Sequence, residues 1–334
     1  MSAENEVANL LGSMEYLQSA GTIGGCIAYG IFIPIFFLSC YITRNHKLKN
    51  HLLVAHSMIM VSSTGIIIAD VGLQTRMFSF ALIPVHGSTP SWGERLQSSQ
   101  KSAIPYAILL TWCTMINFII GDAIIAWRAY VLWSRSLIIK CMLLAFFIGN
   151  IGIALYNVAS FMISVTSTSD EGHSTNTIST STAVGYFASL GSNLFATSLI
   201  LLKSWLFRQT MKDAFIKAKK STAYQVLVLI IECGLLFGVV QLAAGLITLS
   251  SAANDPTSFV INSRTLAYYV ISAIYPILSG IVPLLMIIIV AGKRSMIDQS
   301  MSSKNLSLTG TSDLERGTTE ARDQQLTTMS FVSR

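Results

Sequence analysis

Long apolar stretches alternate with short polar segments along almost the whole chain. Seven of these stretches are continuously apolar and do not alternate residue by residue, which indicates helices and not β-strands. Each reaches roughly the 20 residues that a helix needs to cross the hydrocarbon core of a bilayer, about 30 Å thick. Their approximate bounds are Ala20–Ile42, Leu52–Gln74, Ala103–Trp127, Leu137–Ile163, Thr182–Leu206, Val226–Thr248 and Leu266–Ala291. The pattern predicts an all-α membrane protein built as a bundle of seven transmembrane helices.

Composition agrees with this fold class and defines the domains. The 334 residues are 52% hydrophobic and 11% charged, whereas an average soluble domain is about 25% charged. We predict an N-terminal tail at 1–19, one membrane domain at 20–292 and a tail at 293–334. The second tail is rich in Ser and Thr and has no apolar run, which is typical of disorder.

Basic residues are concentrated in every second loop. They lie in the first, third and fifth loops and directly after the last apolar stretch, while the other loops carry fewer. The positive-inside rule therefore places the C-terminus in the cytosol and the N-terminus outside. The net charge of +6 comes from basic residues in loops beside the helix ends, where they can contact the lipid bilayer. No nucleic acid partner is therefore predicted. We expect a multi-pass protein of the plasma membrane.

The fifth loop has the pattern of a short basic amphipathic helix. Phe207, Met211 and Phe215 are spaced four apart, so they share one helix face. One interpretation is a helix extension that binds anionic lipid headgroups. The other is a docking surface for a cytosolic effector such as a G protein. The basic residues of this predicted effector contact are Lys212, Lys217, Lys219 and Lys220.

Few ionisable residues lie inside the apolar stretches, where charges are costly and usually functional. With the predicted topology, His56, Asp122 and Glu232 share a depth in the cytosolic third. They form either a two-state latch or proton-sensitive site, or a set of packing hydrogen bonds. Arg128, at the inner end of the third helix, is predicted to extend its guanidinium group to the headgroups. These four residues are the predicted inner switch.

A second group of polar residues lies in the outer halves of the helices. A small-molecule ligand pocket that opens outward is one interpretation, and an interfacial aromatic belt explains most of the tyrosines equally well. At mid-membrane, Asn117, Asn150 and Asn193 are predicted to form interhelical hydrogen bonds. The residues predicted for the outer pocket are Asp70, Tyr106, Tyr156, Gln241 and Tyr269.

Motifs for catalysis are missing from the sequence. It contains no HExxH, no GxSxG, no P-loop and no cysteine–histidine spacing typical of a metal site. We therefore predict neither an enzyme nor a bound cofactor or metal. The glycines Gly21, Gly24 and Gly25 in the first apolar stretch are predicted to allow close contact with another helix.

The most distinctive motif runs from Gly121 to Trp133, with the sequence GDAIIAWRAYVLW. It resembles the Asp-x4-Trp-Arg-Ala-x-x-x-Trp signature near the inner end of the third helix in an uncharacterised family of seven-helix membrane proteins from mushroom-forming (basidiomycete) fungi. This resemblance implies the architecture and a fungal origin more than a function.

In topology the chain is also similar to a G-protein-coupled receptor. It departs from that pattern because the third helix has no adjacent acidic–Arg pair and the seventh has no Asn-Pro-x-x-Tyr. The leading hypothesis is a receptor-like sensor with an outer small-ligand pocket and a cytosolic switch. The alternative is a small-solute transporter or channel in which His56, Asp122 and Glu232 are the coupling groups.

Overall fold

The computed structural model describes residues 3–45, 50–82, 92–133, 135–166, 175–213, 222–252 and 263–289. Over these ranges the chain forms seven α-helices and no β-strand. Each helix contains a segment long and apolar enough to cross a membrane, so the predicted all-α, seven-helix membrane fold is confirmed. The helices are α1 (Ala3–Asn45), α2 (Asn50–Leu82), α3 (Trp92–Leu132), α4 (Leu137–Thr166), α5 (Thr175–Asp213), α6 (Thr222–Ala252) and α7 (Ser263–Ile289).

The helices extend beyond the apolar stretches from which they were predicted. α1 begins at Ala3, so the predicted N-terminal tail is helical from that residue. Much of the predicted second loop, 75–102, belongs to the ends of α2 and α3. Backbone hydrogen bonds continue a helix through polar sequence as well as apolar sequence, whereas hydropathy marks only the part suited to lipid. Residues 83–91 and the tail at 293–334 lie outside the described ranges.

Consecutive helices from α1 to α6 pack side by side, most extensively α2 with α3 and α5 with α6, and α3 also contacts α5. α7 packs against α1 at the predicted glycines. A Cβ atom at Gly21 would lie 2.9 Å from the backbone oxygen of Tyr269, and one at Gly24 would lie 3.2 Å from Ile274. The absence of side chains there allows the two backbones to approach closely.

Burial differs strongly between helices. In an apolar window of 18 residues, 56% of the residues are buried in α7 and 6% in α4. α7 therefore packs inside the bundle, and α4 is peripheral. Large apolar side chains such as Ile23, Ile27 and Ile31 of α1 are exposed, as expected of a face that contacts lipid. Since lipid tails are as apolar as the packed interior, the polar residues are the better guide to how the helices face one another.

Candidate ligand site

The distinctive motif on α3 begins with a close contact to α7. A Cβ atom at Gly121 would lie 3.2 Å from the backbone oxygen of Ser279. Pro283, four residues further along α7, has no N–H group, so the carbonyl of Ser279 lacks its usual helical partner. A glycine at position 121 therefore lets α3 pack against this part of α7.

Two later residues of the motif also bind neighbouring helices. Arg128 donates from Nη2 to the backbone oxygen of Pro283 at 3.3 Å and contacts Met286. The guanidinium group of Arg128 therefore has a backbone acceptor on α7, which was not predicted, and its extension to the headgroups stays a prediction. Trp133 donates from Nε1 to the backbone oxygen of Leu199 on α5 at 3.0 Å.

Asp122 is buried where α3, α4 and α5 meet. Asn150 of α4 donates from Nδ2 to Oδ2 of Asp122 at 3.1 Å. The hydroxyl group of Ser189 on α5 lies 2.9 Å from Oδ1 and 3.0 Å from Oδ2. The carboxyl group is thus held by two neutral donors from two other helices.

The helix that carries Asp122 is longer than the sequence pattern suggested. The apolar segment of α3 runs from Gln97 to Leu132 and does not end at Trp127. Its 36 residues make a helix about 54 Å long, which exceeds a hydrocarbon core about 30 Å thick. The position of Asp122 in the inner third therefore stays a prediction.

The hydrogen bonds of Asp122 continue towards α6. Gln241 donates from Nε2 to the hydroxyl oxygen of Ser189 at 2.9 Å, and Asn193 donates to Oε1 of Gln241 at 3.1 Å. Tyr275 of α7 lies close to both Ser189 and Gln241. The carboxyl group of α3 is therefore connected through α5 to α6 and lies beside α7.

A separate polar cluster joins α2, α3 and α7. Asn117 donates from Nδ2 to the hydroxyl group of Ser63 at 3.2 Å and to the backbone oxygen of Pro276 at 2.7 Å. Ser62 donates to Oδ1 of Asn117 at 3.3 Å. Together with the contacts of Asn150 and Asn193, this confirms that the mid-membrane asparagines form interhelical hydrogen bonds.

A cavity of about 360 Å³ lies between α3, α4 and α5, with Tyr268 of α7 also in its wall. Asp122, Asn150 and Ser189 line one end of it. This volume falls in the range of about 300–1,000 Å³ that is typical of small-molecule sites. The other lining residues are mainly apolar or aromatic and include Phe118, Phe147, Phe161 and Tyr186.

The cavity wall carries a single charged group. Among the described residues that line it, Asp122 is the one acidic residue, and none is Lys, Arg or His. Asn157 is another lining residue, and its Oδ1 is buried without a hydrogen-bond partner. Buried polar atoms are nearly always paired, so this oxygen is an unsatisfied acceptor close to the cavity.

The structure does not bring together the residues of the predicted inner switch. His56 bonds through Nε2 to the hydroxyl group of Ser39 on α1 at 2.7 Å. Glu232 is exposed on the surface of α6, and Asp122 and Arg128 bind different helices. The predicted cluster must be corrected, because a shared depth does not determine which face of a helix carries a residue.

None of the five residues predicted for the outer pocket is among the described residues that line the cavity. Gln241 belongs to the hydrogen-bond chain of Asp122, and Tyr156 is exposed on α4. The other three take part in contacts between helices, namely Asp70 with Thr22, Tyr106 with Gly72 and Tyr269 with Gly21.

A sequence signal for the observed cavity existed but was missed. Asn150 and Asn157 of α4 are seven residues apart, as are Thr182 and Ser189 of α5. A seven-residue spacing places two side chains on the same helix face. A polar stripe on one face of each of two neighbouring apolar helices indicates a polar surface between them, which is where the cavity lies.

Comparisons with known proteins give no match for this chain among protein-family models, curated proteins or solved structures.

Proposed function

We propose that this integral membrane protein is a receptor-like sensor whose small-ligand site is the cavity between α3, α4 and α5. The observation that carries the proposal is the buried carboxyl group of Asp122, held at one end of that cavity by neutral donors only. An intramembrane ionisable residue beside a cavity is a strong candidate for a functional group.

The hydrogen bonds of Asp122 support a route from the ligand site to the rest of the bundle. Ser189 donates to Asp122 and accepts from Gln241 of α6. A ligand that takes over a hydrogen bond of Asp122 changes the partners of Ser189, and through it the contact between α5 and α6. A ligand drives such a change only by binding the two arrangements with different affinities.

The positions of the two ends follow from loop charge. The cavity lies towards the ends of α4 and α5 that the segment 167–174 connects, and the positive-inside rule puts that segment outside the cell. The effector contact is proposed at the opposite end. Of its residues, Lys212 is near the end of α5, whereas Lys217, Lys219 and Lys220 lie outside the described residues.

Access to the cavity from each side of the membrane distinguishes a sensor from a transporter. Thr114 lines the cavity and can be replaced by cysteine in a variant without the native cysteines. Sealed vesicles of known orientation are then treated with a small, cationic, membrane-impermeant methanethiosulfonate. A sensor is expected to react from the outer side or from neither side, and not from the cytosolic side. Reaction at comparable rates from both sides would support the transporter and contradict the sensor.

A lipid-facing cysteine provides the matched control. Val61 of α2 is 73% exposed on the bundle surface, so Val61→Cys is expected to be unreactive from either side because lipid surrounds it. If Val61→Cys reacts as fast as Thr114→Cys, the reagent reaches the hydrocarbon region. The experiment is then repeated with a larger, more polar reagent until the control is silent.

A further inference from the structure

The ligand cavity has a neighbour on the lipid-facing side of the bundle. A shallow groove runs between α4 and α5, lined by residues that include Gly149, Gly152 and Val184. Two residues, Ile153 and Asn157, line both the groove and the cavity. The groove and the cavity are therefore separated by little more than these two side chains.

The groove lies on the outer surface of the bundle, where apolar residues of α4 and α5 are joined by Thr180 and Ser181. α4 is the least buried of the seven apolar helices, and Val184 of α5 is 50% exposed. Gly149 and Gly152 have nothing within 4 Å of where a Cβ atom would be, so no side chain covers the groove there. A molecule dissolved in the bilayer thus meets an uncovered groove between two helices, and Asn157 is one of the residues in its wall.

Among the described residues that line the groove and the cavity, Asp122 is the one charged residue. Its carboxyl group lies at the end of the cavity, beyond Asn157, whose Oδ1 is buried and unpaired. No described residue that lines the cavity is basic. A carboxylate in a low-dielectric site is stabilised by a positive charge that also donates hydrogen bonds. The rest of the wall is apolar and aromatic, which suits an apolar chain or ring system and also a cation near aromatic faces.

We propose that the ligand is a lipophilic amine that enters sideways from the bilayer between α4 and α5. Its protonated amino group passes Asn157 and then binds Asp122. Its apolar body fills the cavity between the aromatic side chains. This inference rests on the proposed ligand site and adds the class of ligand and the route of entry.

Dodecylamine, dodecanoate and butylamine are suitable probes, because they separate the effect of charge from that of the apolar chain. Saturable binding of each labelled compound is measured on protein in lipid nanodiscs, with empty nanodiscs subtracted. Dodecylamine is expected to bind, and dodecanoate and butylamine to bind at least tenfold more weakly. Equal binding of dodecanoate would overturn the charge assignment, and equal binding of butylamine would overturn the assignment of the cavity wall to an apolar chain.

Two variants test the polar contacts. Asp122→Asn keeps the shape and removes the charge, and it is expected to weaken dodecylamine binding roughly tenfold to a hundredfold, as for the loss of one charged hydrogen bond. Asn157→Leu removes the unpaired acceptor and leaves the hydrogen bonds of Asp122 unchanged. It therefore tests the contribution of Asn157 to binding in a variant in which the Asp122 contacts are kept. Unchanged binding in both variants would refute the proposal.

The route of entry has its own matched pair of variants. Gly152→Phe places a ring in the groove, whereas Gly30→Phe places the same ring on α1, where a Cβ atom also has nothing within 4 Å. Dodecylamine association is expected to slow at least fivefold in Gly152→Phe and to stay unchanged in Gly30→Phe. Equal rates in the two variants would contradict lateral entry.

These results are separable from those for the proposed function. If dodecylamine does not bind but Thr114→Cys still reacts from one side alone, the inference about the amine is wrong and the sensor proposal stands. If Thr114→Cys reacts from both sides while dodecylamine binds, the ligand class stands and the sensor is replaced by a transporter.

Discussion

Replacing Ser189 by alanine removes a hydroxyl group that takes part in two hydrogen bonds across helices. It donates to the carboxyl group of Asp122 at 2.9 Å and accepts from Gln241 at 2.9 Å. Single interhelical hydrogen bonds in membrane proteins average about 0.6 kcal/mol, whereas a bond to a charged group contributes about 1.5–3 kcal/mol. Because the substitution leaves both partners short of a bond in a buried site, we expect a loss of about 1.5–3 kcal/mol in the free energy of unfolding.

Reversible unfolding in mixed detergent micelles measures this loss, and Ser57→Ala is the matched control. The Ser57 hydroxyl group is exposed and donates to the backbone oxygen of Leu53 in its own helix at 3.0 Å, so its removal is expected to change stability by less than about 0.5 kcal/mol. The variants Ser189→Ala and Asp122→Asn are also expected to be non-additive, with a coupling of about 1 kcal/mol. A Ser189→Ala variant as stable as Ser57→Ala would refute the hydrogen-bond chain described for Asp122.

Two other contacts allow similar tests. Gly21→Ala is expected to lower the free energy of unfolding by about 1–3 kcal/mol, because the new Cβ atom would lie 2.9 Å from the backbone oxygen of Tyr269. The control Gly30→Ala has open space around it and is expected to be neutral. Equal effects of the two variants would contradict the contact between α1 and α7. Asn117→Ala is expected to lower the free energy of unfolding by about 1–2 kcal/mol in the same assay, because it removes the hydrogen bond to Pro276. A change below about 0.3 kcal/mol would show that the packing of α2, α3 and α7 does not depend on this side chain.

The sequence was sufficient to predict the helices, because the length of an apolar run is set directly by the thickness of the bilayer. It was not sufficient to predict which faces of the helices pack. In a soluble helix the apolar face identifies the core, but here both the packed face and the lipid face are apolar. Asp122 and Glu232 therefore looked equivalent, although one is buried between three helices and the other is exposed on α6.

The candidate site shows the same limit in a second way. Depth was counted from the predicted ends of apolar stretches, and the apolar segment of α3 continues to Leu132, five residues beyond the predicted end at Trp127. Arg128 was expected at the headgroups because its long side chain can extend to them, and no acceptor within the bundle was predicted for it. Its acceptor, the backbone oxygen of Pro283, is 155 positions away in the chain and depends on how α3 and α7 pack.

The most direct test of the ligand site is to locate a bound amine. A dodecylamine analogue with a photoreactive diazirine in its chain is added to the protein in nanodiscs, irradiated, and mapped by peptide mass spectrometry. The account predicts adducts on the parts of α3, α4 and α5 that line the cavity, including the neighbourhoods of Phe118, Asn157 and Tyr186, and their loss in Asp122→Asn. Adducts spread over lipid-facing residues such as Ile27 and Val61, unchanged in Asp122→Asn, would contradict a ligand site in this cavity.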